Sequence, residues 1–383
     1  MSEFKDFELR TVSPDFDSGL TDTLMELNHL RRMRLGGSTA PWIFFQLKDI
    51  FHLLESVGSA RIEGNHTTIS EYVEQKIEKG ERSEDRFSEI ANVEEAMSYI
   101  EDNIEEGSEI THHFIRELHQ LAVTGLEREG DRTPGAYRVC NVSIASSKHV
   151  PPSTSAVQSY MDELLAYVNE KNSDKYDLLK TAVAHHRFTW VHPFSNGNGR
   201  VVRLLTYALL IKYGFNVKEG KLINPTAVFC NDREKYYEML GVADTGTNEG
   251  LLSWCEYVLE GIHVEITKVN KLLDRSYLIP NILIPTLEFA RGRQHITEDE
   301  FNVLKRGIAS DRQEFRAEDI SEAIPGIKPR QRSHLISKMK ESGFIQSFKD
   351  RPRTYFVSFT TSILMRSLIS HLEKEGFIPA IDS

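Results

Sequence analysis

The sequence predicts a mainly α-helical protein with one β-hairpin in its body and a winged helix-turn-helix at its C-terminal end. Three observations carry this. Apolar residues recur at three- and four-residue spacings through residue 273, which is the helical period. One stretch, 133–152, breaks the pattern with β-branched alternation bounded by Pro and Gly. Beyond 290 the order becomes helix, helix, turn, helix and two short strands, the order of a winged helix.

The helical spacing is clear at 43–56, where Pro41 stands near the start, and recurs at 87–101, 111–124, 156–169, 175–190, 199–213, 233–242 and 249–273. In the last third, helices are expected at 296–307, 316–323 and 329–342, with Pro325-Gly326 between the last two. Residues 343–358 read as two strands around a charged turn containing Pro352. The domains expected are an N-terminal helical region (1–105), a central core (106–273) and the C-terminal module (274–383).

Composition narrows the function classes. The chain has 383 residues, 40% hydrophobic and 27% charged, enough for two or three cores under a soluble surface. No apolar run is long enough to cross a bilayer, and the N-terminus has no apolar signal core, so no membrane partner and a cytoplasmic location are expected. Cys140, Cys230 and Cys255 are scattered without CxxC spacing, which suits a reducing compartment and argues against a disulfide framework or a thiolate metal site. The net charge of −11 argues against a chain devoted to nucleic acid along its whole length but leaves room for one basic module.

Chemistry concentrates in His192-Pro-Phe-Ser-Asn-Gly-Asn-Gly-Arg-Val-Val-Arg203. Gly197 and Gly199 flank Asn198 just before a helix, where inward N–H groups and the helix dipole suit phosphate oxygens. Arg200 and Arg203 are three apart and share one face at that end, an arrangement for a polyphosphate. His192 can take a proton from an attacking hydroxyl. Pro193 and Phe194 would fix the loop, and Asn196 stands where an oxygen ligand for magnesium would be wanted. No GxxxxGK[ST] is present, and Gly197-Asn198-Gly199 lacks a third glycine and a preceding strand, so Walker and Rossmann readings fail. The pairs His112-His113 and His185-His186 lack HExxH spacing and read as structural or exposed.

This segment resembles the signature of the Fic family, His-x-Phe-x-(Asp/Glu)-Gly-Asn-Gly-Arg-x-x-Arg, departing from it only at Asn196. The resemblance implies a Fic-type helical core and transfer of AMP from ATP to a Ser, Thr or Tyr hydroxyl of a protein. It implies His192 as general base and Asn198 with the Gly197–Gly199 backbone on the phosphates. Arg200 and Arg203 would neutralise the β- and γ-phosphates, and position 196 would hold magnesium. Asn there lowers the expected magnesium affinity and opens a preference for manganese, or a different transferred group.

Three further stretches fit the resemblance. Residues 137–152, preceded by Gly135-Ala-Tyr-Arg138, match the family's flap, whose edge would hold a target segment; Ser147 within it joins the nucleotide-binding set. Tyr236 and Tyr237 lie in a stretch that family members place around the adenine, although helix packing is the competing reading. Ser59-Ala-Arg-Ile-Glu63-Gly resembles the family's inhibitory motif, in which Glu63 would reach Arg203 and remove the cation needed by the γ-phosphate. Removal of AMP from a modified protein, with Glu63 positioning water, is a second reading. A third is a DNA-binding regulator that senses nucleotide without efficient chemistry.

Lys328, Arg330, Arg332, Lys338, Lys340, Lys349, Arg351 and Arg353 gather around the third C-terminal helix and wing, against Glu341 and Asp350. The expected partner of 316–358 is therefore duplex DNA, with packing or homodimer formation as the competing role.

Overall fold

The computed structural model describes residues 4–32, 38–78, 84–144, 147–171, 173–215 and 225–378. In chain order it contains α1 (Gly19–Arg32), α2 (Pro41–Ile62), α3 (Ile69–Glu78), α4 (Asp85–Asn103), α5 (His112–Val123), α6 (Val157–Asn169), α7 (Asp177–Val191) and α8 (Asn198–Lys212). Then come α9 (Thr226–Cys230), α10 (Arg233–Ala243), α11 (Asn248–Asn270), α12 (Arg275–Leu278), α13 (Ile284–Gly292) and α14 (Glu298–Ala309). The chain closes with β1 (Phe315–Arg316), α15 (Ile320–Ala323), α16 (Pro329–Glu341), β2 (Ile345–Ser347), β3 (Thr354–Val357) and α17 (Ile363–Lys374). No helix among the described residues is long and apolar enough to cross a membrane.

The chain divides into two compact units. The first takes residues 1–34, 55–67 and 82–267, so the residues on either side of position 105 lie in one body. Its centre is the pair α7 and α8, buried on almost every face from Leu178 to Val191 and from Arg200 to Lys212. A helix enclosed on all sides loses the one-sided apolar stripe of a surface helix, and its polar groups need internal partners. They have them. Lys180 donates to the Glu170 carbonyl, Arg187 to Glu163, and His185 bridges Thr206 and Tyr236. Around this pair pack α4, α5, α6 and α11, with Leu20, Leu24 and Leu27 of α1 closing the core.

The second unit takes residues 35–54, 68–81 and 268–383. Thr297 and Glu300 form a capping box that starts α14. Its three strands form one antiparallel sheet in the order β1-β3-β2, with Phe315 opposite Tyr355 and Ile345 opposite Val357. The first turns of α2 are tied here: Gln46 donates to the Val357 carbonyl and accepts from Phe359 N–H, and Trp42 Nε1 donates to the Gln313 carbonyl.

Two expectations change. The stretch 133–152 forms no strand among its described residues; positions 145 and 146 lie outside them. Among these residues side chains hold the backbone, above all Arg138 on the Cys140 and Pro152 carbonyls, and no strand pairing of the expected hairpin is formed. The helix expected at 316–323 is reduced to α15, because Phe315 and Arg316 pair with β3 and Asp319 caps the turn by accepting from Arg316 N–H.

Candidate active site

The site lies in the first unit, where α7 ends and α8 begins. His192 terminates α7 in the left-handed region at φ 51, its N–H bonded to the Phe188 carbonyl. A non-glycine residue there is held by its surroundings. Arg138 does the holding. This buried guanidinium donates to the carbonyls of His192 (2.8 Å), Cys140 (3.1 Å), Pro152 (2.6 Å) and Val191 (3.4 Å), while its own N–H donates to the Pro193 carbonyl at 2.9 Å. Burial lowers the His192 pKa to about 4, so the imidazole is neutral near pH 7 and able to accept a proton.

The loop is braced from within and from below. Asn198 uses both ends of its amide on Phe194: Oδ1 accepts from Phe194 N–H and Nδ2 donates to the Phe194 carbonyl, each at 2.9 Å. Its side chain therefore closes the loop, and any phosphate contact from this position falls to the backbone of the first turn of α8, whose N–H groups have no intrahelical partner. Gly197 begins α8 at φ 76, and a Cβ there would lie 2.6 Å from Val123. Phe194 is fully buried and stacks on His119 at 3.8 Å.

Asn196 was expected to present an oxygen to magnesium. All four of its polar groups have partners instead. Its N–H donates to Asp131 Oδ2 (3.2 Å), its carbonyl accepts from His119 Nε2 (3.1 Å), its Oδ1 accepts from Gly197 N–H (2.7 Å) and its Nδ2 donates to the Gly130 carbonyl (3.2 Å). As it stands the residue pins the loop, with one of the two Oδ1 lone pairs engaged by Gly197. His119 accepts from Gly135 N–H on Nδ1, so its proton sits on Nε2, and burial lowers its pKa to about 4.

The two arginines leave α8 in different company. Arg200 is buried against Glu89 (3.3 Å) and donates to the carbonyls of Ala122 and Glu129. Glu89 also accepts from Asn65 Nδ2 at 2.8 Å. Arg203 donates through Nη2 to Glu63 Oε1 at 2.7 Å and to the Ser59 carbonyl at 3.0 Å, and through Nε to Ser59 Oγ at 2.9 Å. Burial pushes the Glu63 carboxyl up, but the charge and hydrogen bond of Arg203 outweigh it and hold the group below the usual carboxylate range. Glu63 also lies over the start of α8: a Cβ on Gly199 would fall on its Oε1. A carboxylate thus occupies the helix N-terminus where an anion is favoured.

The remaining expected residues lie at different depths. Tyr236 is a core residue, its hydroxyl 2.9 Å from His185 Nε2 and its ring against Phe229, so it does not stand free for a base. Tyr237 is 47% exposed, beside Arg233. Ser147 is exposed on the flap and accepts from His149 N–H. His112 bonds Tyr137 and Asp162, and His186 bonds Asp244. Sequence reasoning missed Asp131, His119, Glu89 and the role of Arg138. For Arg138 a signal existed, the Gly135-Ala-Tyr-Arg138 run; the others carry no local pattern.

With this geometry in view, comparison with known proteins is consistent. Residues 109–210 match the Fic/DOC family model. Two proteins named protein adenylyltransferase Fic are similar: that of Aedes aegypti, 30% identical over 203 residues, and that of Nematostella vectensis, 31% identical over 193 residues. The matches cover 51% and 49% of this chain and 37% and 42% of those proteins, so the chain spans well under half of their length. A Fic family protein from Desulfovibrio desulfuricans G20 shares the fold at a TM-score of 0.56 and 20% identity, covering 92% of this chain and 98% of that one.

Proposed function

We propose that this chain transfers AMP from ATP to a Ser, Thr or Tyr hydroxyl of a protein, and that Glu63 restrains the reaction. The observation that carries this reading is the Glu63 carboxylate lying over Gly199 and bonded to Arg203. It is an internal anion on the cations and helix end that a polyphosphate would use.

In the reaction the hydroxyl oxygen attacks the α-phosphorus of ATP in line with the bond that breaks, and pyrophosphate leaves. The hydroxyl proton passes to His192, neutral and held in place by Arg138. The first turn of α8 and Arg203, once released by Glu63, would stabilise the phosphates. A magnesium ion would neutralise phosphate charge, with Asn196 Oδ1 the oxygen that would meet it; the steps above belong to the chain's own groups. Intact-mass measurement after incubation with ATP and magnesium tests the reading. An added AMP on the chain is expected, increased in Glu63→Gly and absent in His192→Ala; ATP binding without adduct in Glu63→Gly overturns it.

The element order α14, β1, α15, α16, β2, β3 supports reading the C-terminal module as a winged helix that contacts DNA. Lys338 is paired with Glu300 and Arg351 with Glu314, while Lys328, Arg330, Lys340, Lys349 and Arg353 stand exposed. Such a set favours phosphate-backbone contact over base readout. Retardation of random duplex DNA that weakens steeply with salt is expected. Retardation unchanged in Arg330→Glu/Lys340→Glu/Arg353→Glu would sink this reading.

A further inference from the structure

A second cleft, of about 350 Å³, opens beside the flap and is lined by Arg116, Ala136, Tyr137, Arg138, Thr154 and Gln158 among others. It shares its floor with the site. The same Ala136–Arg138 segment that lines it donates Arg138 N–H to the Pro193 carbonyl and Arg138 Nε to the His192 carbonyl, and the Tyr137 ring lies 5.3 Å from Phe194.

The charge in this cleft belongs to Arg116. Arg138 is already committed to four carbonyl oxygens. The Arg116 guanidinium stands 4.6 Å above the Tyr137 ring, whose side chain it also bonds, and reaches Gln158 Oε1 at 3.5 Å. Its Nε is buried without a hydrogen-bond partner, and no carboxylate pairs with it among the described residues. Asp162 is held at 2.8 Å by both His112 Nε2 and Gln158 Nε2. The buried Nε is closed to a ligand, so an incoming carboxylate would meet the guanidinium through its Nη groups, which no carboxylate of the described residues neutralises. The aromatic ring beneath it keeps the guanidinium plane in place.

We propose that this cleft is a specificity subsite that receives an acidic side chain of the protein substrate, with Arg116 as the recognising residue. This rests on the protein-transfer reading above. A segment lying along 137–152 passes the cleft on its way to His192, so an Asp or Glu near the acceptor hydroxyl would reach Arg116 while the hydroxyl meets the imidazole. Arg116 touches substrate without taking part in bond making. Its effect is therefore on which hydroxyl is presented.

The test uses the full chain and two fluorescein-labelled octapeptides with one Ser acceptor, one carrying Glu residues around it and its twin carrying Gln. Fluorescence anisotropy without ATP measures binding alone. The Glu peptide is expected to bind about tenfold more tightly than its twin, with Arg116→Gln abolishing the difference and Arg116→Lys restoring part of it. Melting temperature checks that both variants fold. Equal affinity for the two peptides, or a preference that survives in Arg116→Gln, overturns the subsite. If ATP displaces the Glu peptide competitively in Glu63→Gly, the cleft takes nucleotide phosphate, and the proposal fails on that outcome too. In a parallel arm, Glu63→Gly is given ATP and both peptides. Binding preference with no AMP added to peptide or chain overturns the transfer reading and leaves the acidic subsite standing; AMP added equally to both peptides overturns the subsite and leaves transfer standing.

Discussion

Glu63 and Arg203 are 140 residues apart in the chain and 2.7 Å apart in the fold, with the carboxylate set over the bare Cα of Gly199. Ser59, one helical turn before Glu63, bonds the same guanidinium through its hydroxyl and its carbonyl. The end of α2 therefore covers the cation that the phosphates of ATP would need, through three hydrogen bonds from Nε and Nη2.

Removing the carboxylate should release Arg203 without disturbing α8. Glu63→Gly is expected to raise self-labelling with radioactive ATP about tenfold or more, a change of about 1.4 kcal/mol in barrier. Ser59→Ala, which loses only the bond to Nε, should raise it less. Labelling of both variants at the wild-type level would remove the case for a restraint.

The restraint should not open on mild acidification. The Glu63 pKa is depressed in the fold, so the stability of its pair is present above the unfolded value of 4.5 and lost only as pH falls through the lower folded value. The ratio of Glu63→Gly to wild-type labelling is expected to stay constant from pH 8 to pH 5. A ratio that collapses towards one at pH 5 would contradict the pairing.

Glu55 behaves in the opposite sense. It is buried on α2, accepts from Thr226 N–H with both oxygens, and burial raises its pKa to about 8. The folded form then holds a proton that the unfolded chain releases near 4.5, so stability is fullest below that value and declines as pH rises to about 8. Glu55→Gln keeps the cap without the titration. Its melting temperature should be flatter than that of the wild type between pH 5 and pH 8, by about 2–4 °C for each kcal/mol removed.

Asn198 tests the loop. In Asn198→Asp, Nδ2 becomes an oxygen facing the Phe194 carbonyl at the 2.9 Å now bridged by a proton. A loss of about 1–3 kcal/mol in denaturant unfolding is expected, together with loss of ATP binding measured by calorimetry. Unchanged stability would show that the amide is not the brace.

Asp131 tests the pin below the loop. Asp131→Ala leaves Asn196 N–H without its acceptor and should raise the KM for ATP about tenfold with a smaller effect on kcat. Asp131→Asn, which keeps an acceptor oxygen, should recover most of this. An equal fall in kcat for both variants would point to a chemical role for the carboxylate instead.

Much of this protein was legible in its sequence, for a physical reason. Helix period is a property of neighbouring residues, so α2, α4, α5, α6 and α11 follow from apolar spacing, while α7 and α8, buried on almost every face, carry no one-sided stripe. Gly197 and Gly199 state where the backbone must turn and where an anion can approach, and His192-x-Phe194 with Arg200 and Arg203 marks the same place chemically. What a side chain faces is not a local property. Tertiary packing alone decided that Arg200 is buried against Glu89, that Asp131 and His119 hold Asn196 from below, and that Tyr236 belongs to the core, whereas the Glu63–Arg203 pair was already expected from the motif around Glu63. The described residues of 137–152 form no strand, and Arg138 takes the Cys140 and Pro152 carbonyls there. Chain-neighbour spacing set the elements; distant partners, brought together by burial, set the charges and the free hydrogen-bonding groups of the site.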